Sequence, residues 1–377
     1  MKKILAIILS VAMLFTLAAC VETNDKKPDS GYRVAMISDY ADITDESFNQ
    51  ETYRGCKEFC DKSKLDFKYY KPSGDNDVER TAIIENAISD GYNVIVAPGS
   101  KFAVAIAALA ETYPEVYFIA IDVSKGALSG AGLSAIPPNL FSASYQEELC
   151  GYMAGVAAVK LGYKHVGFLG GMAVPAVVRY GYGFVQGVNA AAEELGLTNV
   201  ICEYGYANQF FGDSDITEIM NEWYDTKGVE VVFACGASIF TSVAEAAANA
   251  HKKVIGVDVD QSSTINKYEP DMTVTSAMKG LAATVKTVLT ELVYNDHWSA
   301  YGGSVITLGI VSGTDPEANY VQLPYETTQW AEGFTQDDYK TLVNDMFSGN
   351  VSVSNDIEVS AEAFATVIKV NDYGGIK

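Results

Sequence analysis

From residue 32 onward the chain alternates short apolar runs with longer amphipathic ones, and this alternation limits the folds open to it. Runs rich in Val, Ile and Phe fall at 32–38, 66–71, 94–97, 117–122, 165–170, 200–204, 229–234, 253–259, 272–276 and 304–309. Such continuous apolar runs fit strands covered on both faces. Segments with helical spacing separate them at 47–62, 77–90, 101–113, 146–161, 179–195, 213–226, 239–250 and 280–294. A repeated strand–helix order implies parallel sheets with helices on both faces. The sequence therefore predicts an α/β protein of two doubly wound parallel-sheet lobes joined by a hinge. The expected division puts 31–142 with 273–302 in one lobe and 143–272 with 303–377 in the other. In open sheets of this kind ligands bind beyond the carboxyl ends of the strands, so two such lobes are expected to flank a cleft.

The first twenty residues have a different character. MKKILAIILSVAMLFTLAAC begins with two lysines, continues as an apolar run too short for a span of about 20 residues, and ends on small residues before Cys20. This predicts a signal peptide over 1–19. Leu17-Ala18-Ala19-Cys20 resembles the bacterial lipobox, which makes Cys20 the expected lipidation site. The following VETNDKKPDSG is polar enough to serve as a tether over 20–30. The expected location is the outer face of the cell membrane, held there by lipid.

The formal net charge of −22 deepens when the leader lysines are removed. A surface so acidic repels phosphate backbones, so nucleic acid is not an expected partner. Cys56, Cys60, Cys150, Cys202 and Cys235 are scattered, and His165, His251 and His297 lack ligand spacing. Neither a disulfide framework nor a metal site is expected, and the five thiols read as small buried side chains. No phosphate loop, nucleophile elbow or Cys–His pairing is visible. The chain reads as a binding protein rather than an enzyme, a monomer without cofactor. Gly181, Gly183 and Gly187 do not form a dinucleotide loop, because they lie inside a helical pattern rather than after a strand.

The residues after successive strands form a consistent set. Asp45, Phe48 and Asn49 follow the first strand, Asp122 the fourth, Gly170-Gly171 the fifth, Gly236 the seventh, Asp258 the eighth and Lys279 the crossover strand. Carboxylates accept hydrogen bonds from diols, an amide reads a heterocycle edge, and an aromatic face stacks on a flat ring, worth about 1–3 kcal/mol for nucleobases. Together they suit a small ligand with a ring and a sugar. Asp45 or Thr44 also suits a helix cap.

Asp45-Glu46-Ser47-Phe48-Asn49-Gln50 resembles the DxSFNQ signature of the basic membrane protein family of bacterial surface lipoproteins. Phe118 to Asp122, Glu147-Glu148 through Gly155, Val166 to Gly171, Ile255 to Gln261 and Thr275 to Lys279 resemble further family motifs in the same order. The resemblance implies a type I periplasmic-binding-protein fold and an ABC importer's receptor for nucleosides, preferably purine nucleosides. It implies that Phe48 stacks on the base while Asn49 and Asp122 read it. Asp258 and Lys279 would hold the ribose, with the backbone at Gly236 alongside, and Asp45 would contact the ligand or cap the helix. Three places depart from the family, among them the expected Gly-Gly-Thr-Gly turn, which reads Cys235-Gly236-Ala237-Ser238. Tyr180 supplies the second-lobe aromatic, and the 205–213 loop offers Tyr206, Phe210 or Phe211, of which Phe210 is put forward. Expected partners are the nucleoside, an ABC permease and, through the lipid, the membrane. Alternatives are a sugar or other small polar metabolite, or a surface receptor or adhesin without transport.

Overall fold

The computed structural model describes residues 31–39 and 41–377. The expected leader, Cys20 and the tether over 20–30 lie outside the described residues. The chain divides into two compact units. Of the described residues, the first comprises 31–39, 52–144 and 281–306, and the second comprises 41–51, 145–280 and 307–377.

The strands, in chain order, are β1 (Arg33–Ile37), β2 (Asp66–Tyr70), β3 (Val94–Pro98), β4 (Tyr117–Ile121), β5 (Leu140–Tyr145), β6 (His165–Gly170), β7 (Ile201–Tyr206), β8 (Val231–Cys235), β9 (Lys253–Asp258), β10 (Thr273–Lys279), β11 (Ser304–Leu308), β12 (Val321–Gln322) and β13 (Lys369–Gly375). The first unit carries the sheet β11-β5-β4-β3-β1-β2, and the second β12-β10-β9-β8-β6-β7-β13. Pairing is parallel from β2 through β5 and from β13 through β10, with β12 antiparallel on β10. Both sheets share one pattern, in which the second strand of the unit lies outside the first and the third lies inside it. The order therefore reverses between β1 and β3 and again between β6 and β8. Crevices for ligands open at such points.

Chemistry local to each segment sets the elements. β3 and β8 are buried along their whole length, as their unbroken apolar sequences require. Asn76 caps the Asp77–Ser89 helix by accepting from the Glu79 amide, and Thr335 with Asp338 forms a reciprocal capping box before the Gln336–Ser348 helix. Among the described residues, Cys56, Cys60, Cys150, Cys202 and Cys235 are buried and free.

The division differs from the sequence expectation at 41–51 and 273–280, and by a few residues at 143–144 and 303–306. Residues 273–280 belong to the second unit because β10 pairs with β9, Met278 opposite Asp258. Residues 41–51 belong there too: the Ser47 hydroxyl donates to Asp258 at 2.6 Å, and Gln261 Nε2 to the Glu46 carbonyl at 3.0 Å. β5 had no counterpart in the sequence reading. Its core carries two serines, and Ser142 hides its hydroxyl by donating to the Val123 carbonyl.

The helices Glu147–Lys160 and Pro175–Glu194 pack backbone against backbone in the second unit. A Cβ at Gly183 would overlap the Glu148 carbonyl, one at Gly187 the Tyr152 carbonyl, one at Gly151 the Tyr180 carbonyl and one at Gly155 the Phe184 carbonyl. Two pairs of glycines, each four residues apart, remove side chains from the crossing. This is what Gly183 and Gly187 do in place of cradling a cofactor.

Candidate ligand-binding site

The ends of β9 and β10 hold a buried charge cluster. Lys279 has a side chain only 3% exposed, and its ammonium lies 3.7 Å from Asp258 Oδ1 and 3.5 Å from Glu147 Oε1. Three rings surround it, with centroids 4.8 Å away for Phe48, 5.5 Å for Tyr145 and 5.6 Å for Tyr180. A buried ammonium is costly unless it is compensated. Here two carboxylates and three ring faces compensate it together. Asp258 lies at φ 65°, a left-handed conformation that costs a non-glycine residue of order 1–3 kcal/mol and is concentrated at functional sites.

Glu147 is fully buried, and its Oε2 accepts from Arg179 Nε at 2.7 Å. The glycine crossing of the two helices brings these residues together. Glu148 lies 4.0 Å from the same nitrogen. Burial pushes its carboxyl up to about 7, Glu147 adds to the effect and Arg179 opposes it. Because the shift is upward, the fold favours the protonated form. The resulting stabilisation is complete below the ordinary carboxylate range and is lost as pH rises through about 7. Glu148→Gln should therefore gain melting temperature relative to wild type at pH 8 more than at pH 5. An equal difference at both values would contradict this.

Residues 45–49 form a helix cap and a side-chain face. Asp45 is buried and accepts from the backbone amides of Ser47, Asn49 and Gln50 at 2.9–3.0 Å, and from Asn49 Nδ2 at 3.0 Å. It therefore caps the Phe48–Ser63 helix. Asn49 is 2% exposed, and its Oδ1 has no hydrogen-bond partner. Phe48 is half-buried beside Lys279.

The other expected residues separate. Tyr180 is 1% exposed, packs edge-on against Phe233 and donates to the Ala277 carbonyl at 3.3 Å. It stands behind Lys279 and supports the ammonium, because burial leaves no ring face to offer. Tyr206 is also core, its hydroxyl 2.7 Å from that of Tyr204, and Phe211 is 55% exposed. Phe210 lies against the reversal point of the second sheet: a Cβ at Gly236 would fall 2.9 Å from its ring and 3.1 Å from Gly171. Gly236 itself has φ 152°, a conformation open to glycine. Asp122 belongs to the first unit. It follows that unit's fourth strand at φ 61°, the counterpart of Asp258 after the fourth strand of the second unit.

Sequence reasoning assigned no role to Ser47, Tyr145, Glu147 or Arg179. For Glu147 and Arg179 the signal is a Glu-Glu pair in the first turn of one helix and a lone Arg near the start of the next. Among the described residues no group of His, Cys, Asp and Glu is arranged to hold a metal ion.

Residues 32–315 match the Bmp family, described as ABC transporter substrate-binding protein PnrA-like. The chain belongs to this family. It is similar to the ABC transporter nucleoside-binding protein BmpA of Lactococcus lactis subsp. cremoris, 25% identical over 337 residues that cover 83% of this chain and 90% of that protein. Basic membrane protein B of Borreliella burgdorferi is 26% identical, covering 79% and 84%. Among solved structures, a solute-binding protein of an ABC transporter system from Aeropyrum pernix K1 superposes with TM-score 0.65 at 22% identity, covering 88% of this chain and 90% of that one. One from Conexibacter woesei gives 0.65 at 20%, covering 86% and 99%. As a Bmp-family member with the type I solute-binding fold, the protein is a substrate-binding component of an ABC transporter. No described helix is long and apolar enough to cross a membrane.

Proposed function

We propose that this protein binds a nucleoside, preferably a purine nucleoside, at the strand ends of its second unit and delivers it to an ABC permease. The observation that carries this reading is the Phe48 ring beside the paired Lys279 and Asp258. The Lys279 ammonium lies over the half-buried Phe48 ring, and an aromatic ring at this place suits stacking by a flat base. The Asp258 carboxylate suits the two hydroxyls of a ribose, and Lys279 donates to the same sugar. Asn49 Oδ1, an acceptor without a donor, suits a base N–H. The similarity to the nucleoside-binding protein of Lactococcus supports the same ligand class. Cys20 carries the lipid in this reading, holding the protein on the outer face of the membrane. Cys20→Ser should move the protein to the soluble fraction, and unchanged partition would contradict the anchor.

Thermal-shift measurements separate the ligand classes. Ligand at a hundred times its Kd adds about 2.7 kcal/mol to stability. Inosine, guanosine or adenosine should raise the melting temperature, while ribose and myo-inositol alone should not. A shift with a sugar and none with any nucleoside would overturn the reading. Inosine should also be recovered intact after incubation, since the release of free base would make the protein an enzyme.

A further inference from the structure

Residues 316–377 lie beyond the part of the chain that matches the family, yet 369–377 run directly to the loop carrying Phe210. β13 pairs in parallel with β7 and slips register after Asp372. It is anchored at Glu203, which accepts from Asn371 Nδ2 at 3.0 Å and from the Tyr373 hydroxyl at 2.5 Å. The Tyr373 ring meets Trp223 at 5.9 Å and lies under the Lys227 ammonium at 4.1 Å. The strand then delivers two residues onto the loop. The Ile376 amide donates to the Tyr206 carbonyl at 2.8 Å, and the Lys377 carbonyl accepts from Asn208 Nδ2 at 2.7 Å. The Lys377 ammonium pairs with Asp213 and lies 3.3 Å from Asp215.

The loop between these anchors holds Phe210. Its carbonyl accepts from the Ser238 amide at 3.2 Å, and its ring lies on Gly171 and Gly236, at the point where the strand order reverses. Ser238 pins the loop from the β8 side, and the 373–377 segment pins it from the β7 side. Asn208 stands in the left-handed region at φ 58°, where a short amide side chain is tolerated and turns the chain toward Lys377.

We infer that residues 373–377 form a latch that fixes the 207–213 loop and thereby positions Phe210 over the carboxyl ends of β6 and β8, setting how long a ligand stays bound. The latch acts through Phe210 and is not itself a ligand contact. The consequence for ligand release rests on the proposed binding site, while the fixing of the loop does not.

The test combines amide exchange with a double-mutant cycle in the full chain. Lys377→Glu together with Asn208→Ala should speed exchange across 207–213 by about tenfold, with β6 and β8 unchanged. Lys377→Glu should raise the dissociation rate of inosine by about tenfold. In a Phe210→Ala background it should add nothing, because the residue it positions is gone. Lys377→Arg keeps the ion pairs and should behave as wild type in both measurements. Unchanged exchange across 207–213, or an equal effect of Lys377→Glu with and without Phe210, overturns the inference. If wild type binds no nucleoside, the ligand reading fails, and the exchange result still decides whether the latch exists.

Discussion

Gly183→Ala is expected to lower the stability of the second unit by about 3 kcal/mol, at the upper end of the range for overpacking. The reason is geometric. The new methyl would meet the Glu148 backbone carbonyl, which belongs to a helix and cannot turn aside as a side chain can. The helices must separate instead, and interiors packed near crystal density have little room for that. The separation would also move Glu147 away from Arg179, which now holds it at 2.7 Å. The denaturation midpoint should fall, and the variant should lose ligand affinity as well. A midpoint equal to wild type would show that the crossing is looser than described.

Lys279→Met is expected to cost as much or more, roughly 3–5 kcal/mol, the range for removing one partner of a buried ion pair. The ammonium lies between Glu147 and Asp258, both more than nine-tenths buried. Taking it away removes one cation from each of two buried carboxylates in a poorly solvated site, and three rings lose the cation they surround. Adding Glu147→Gln should recover part of the loss, since one buried negative charge then disappears. Urea unfolding of the single and double variants measures this directly. A single variant as stable as wild type, or no recovery in the double, would contradict the assigned balance of charge.

The alternating strands and helices were legible because each is a local pattern, and burial on both faces of a parallel sheet removes polar residues from it. β5 was hidden because its serines satisfy themselves on neighbouring carbonyls, so a buried strand reads as polar. The place of 273–280 was missed because pairing is not written in a strand's own residues: Thr273 to Lys279 suits either sheet, and only its register with β9 decides. In the site, Phe48, Asp258 and Lys279 stand out in the sequence by their positions after strands, and the structure puts Phe48 and Asp258 beside the Lys279 ammonium. Tyr180 was misjudged because sequence cannot tell a ring facing a ligand from one supporting the lysine behind it. Asp45 was left between contact and cap, and four hydrogen bonds to the first turn make it the cap. Glu147 and Arg179 escaped because the glycine crossing that joins them is a long-range contact between two helices.

The central claim is that the Phe48–Asp258–Lys279 cluster binds a nucleoside, and calorimetric titration with inosine tests it most directly. Wild type should bind one inosine per chain. Phe48→Ala should weaken binding roughly ten- to a hundredfold, as loss of one base-stacking ring predicts, while leaving the fold intact. Binding of Phe48→Ala at wild-type affinity, or no heat from wild type with inosine, guanosine or adenosine, would contradict the account.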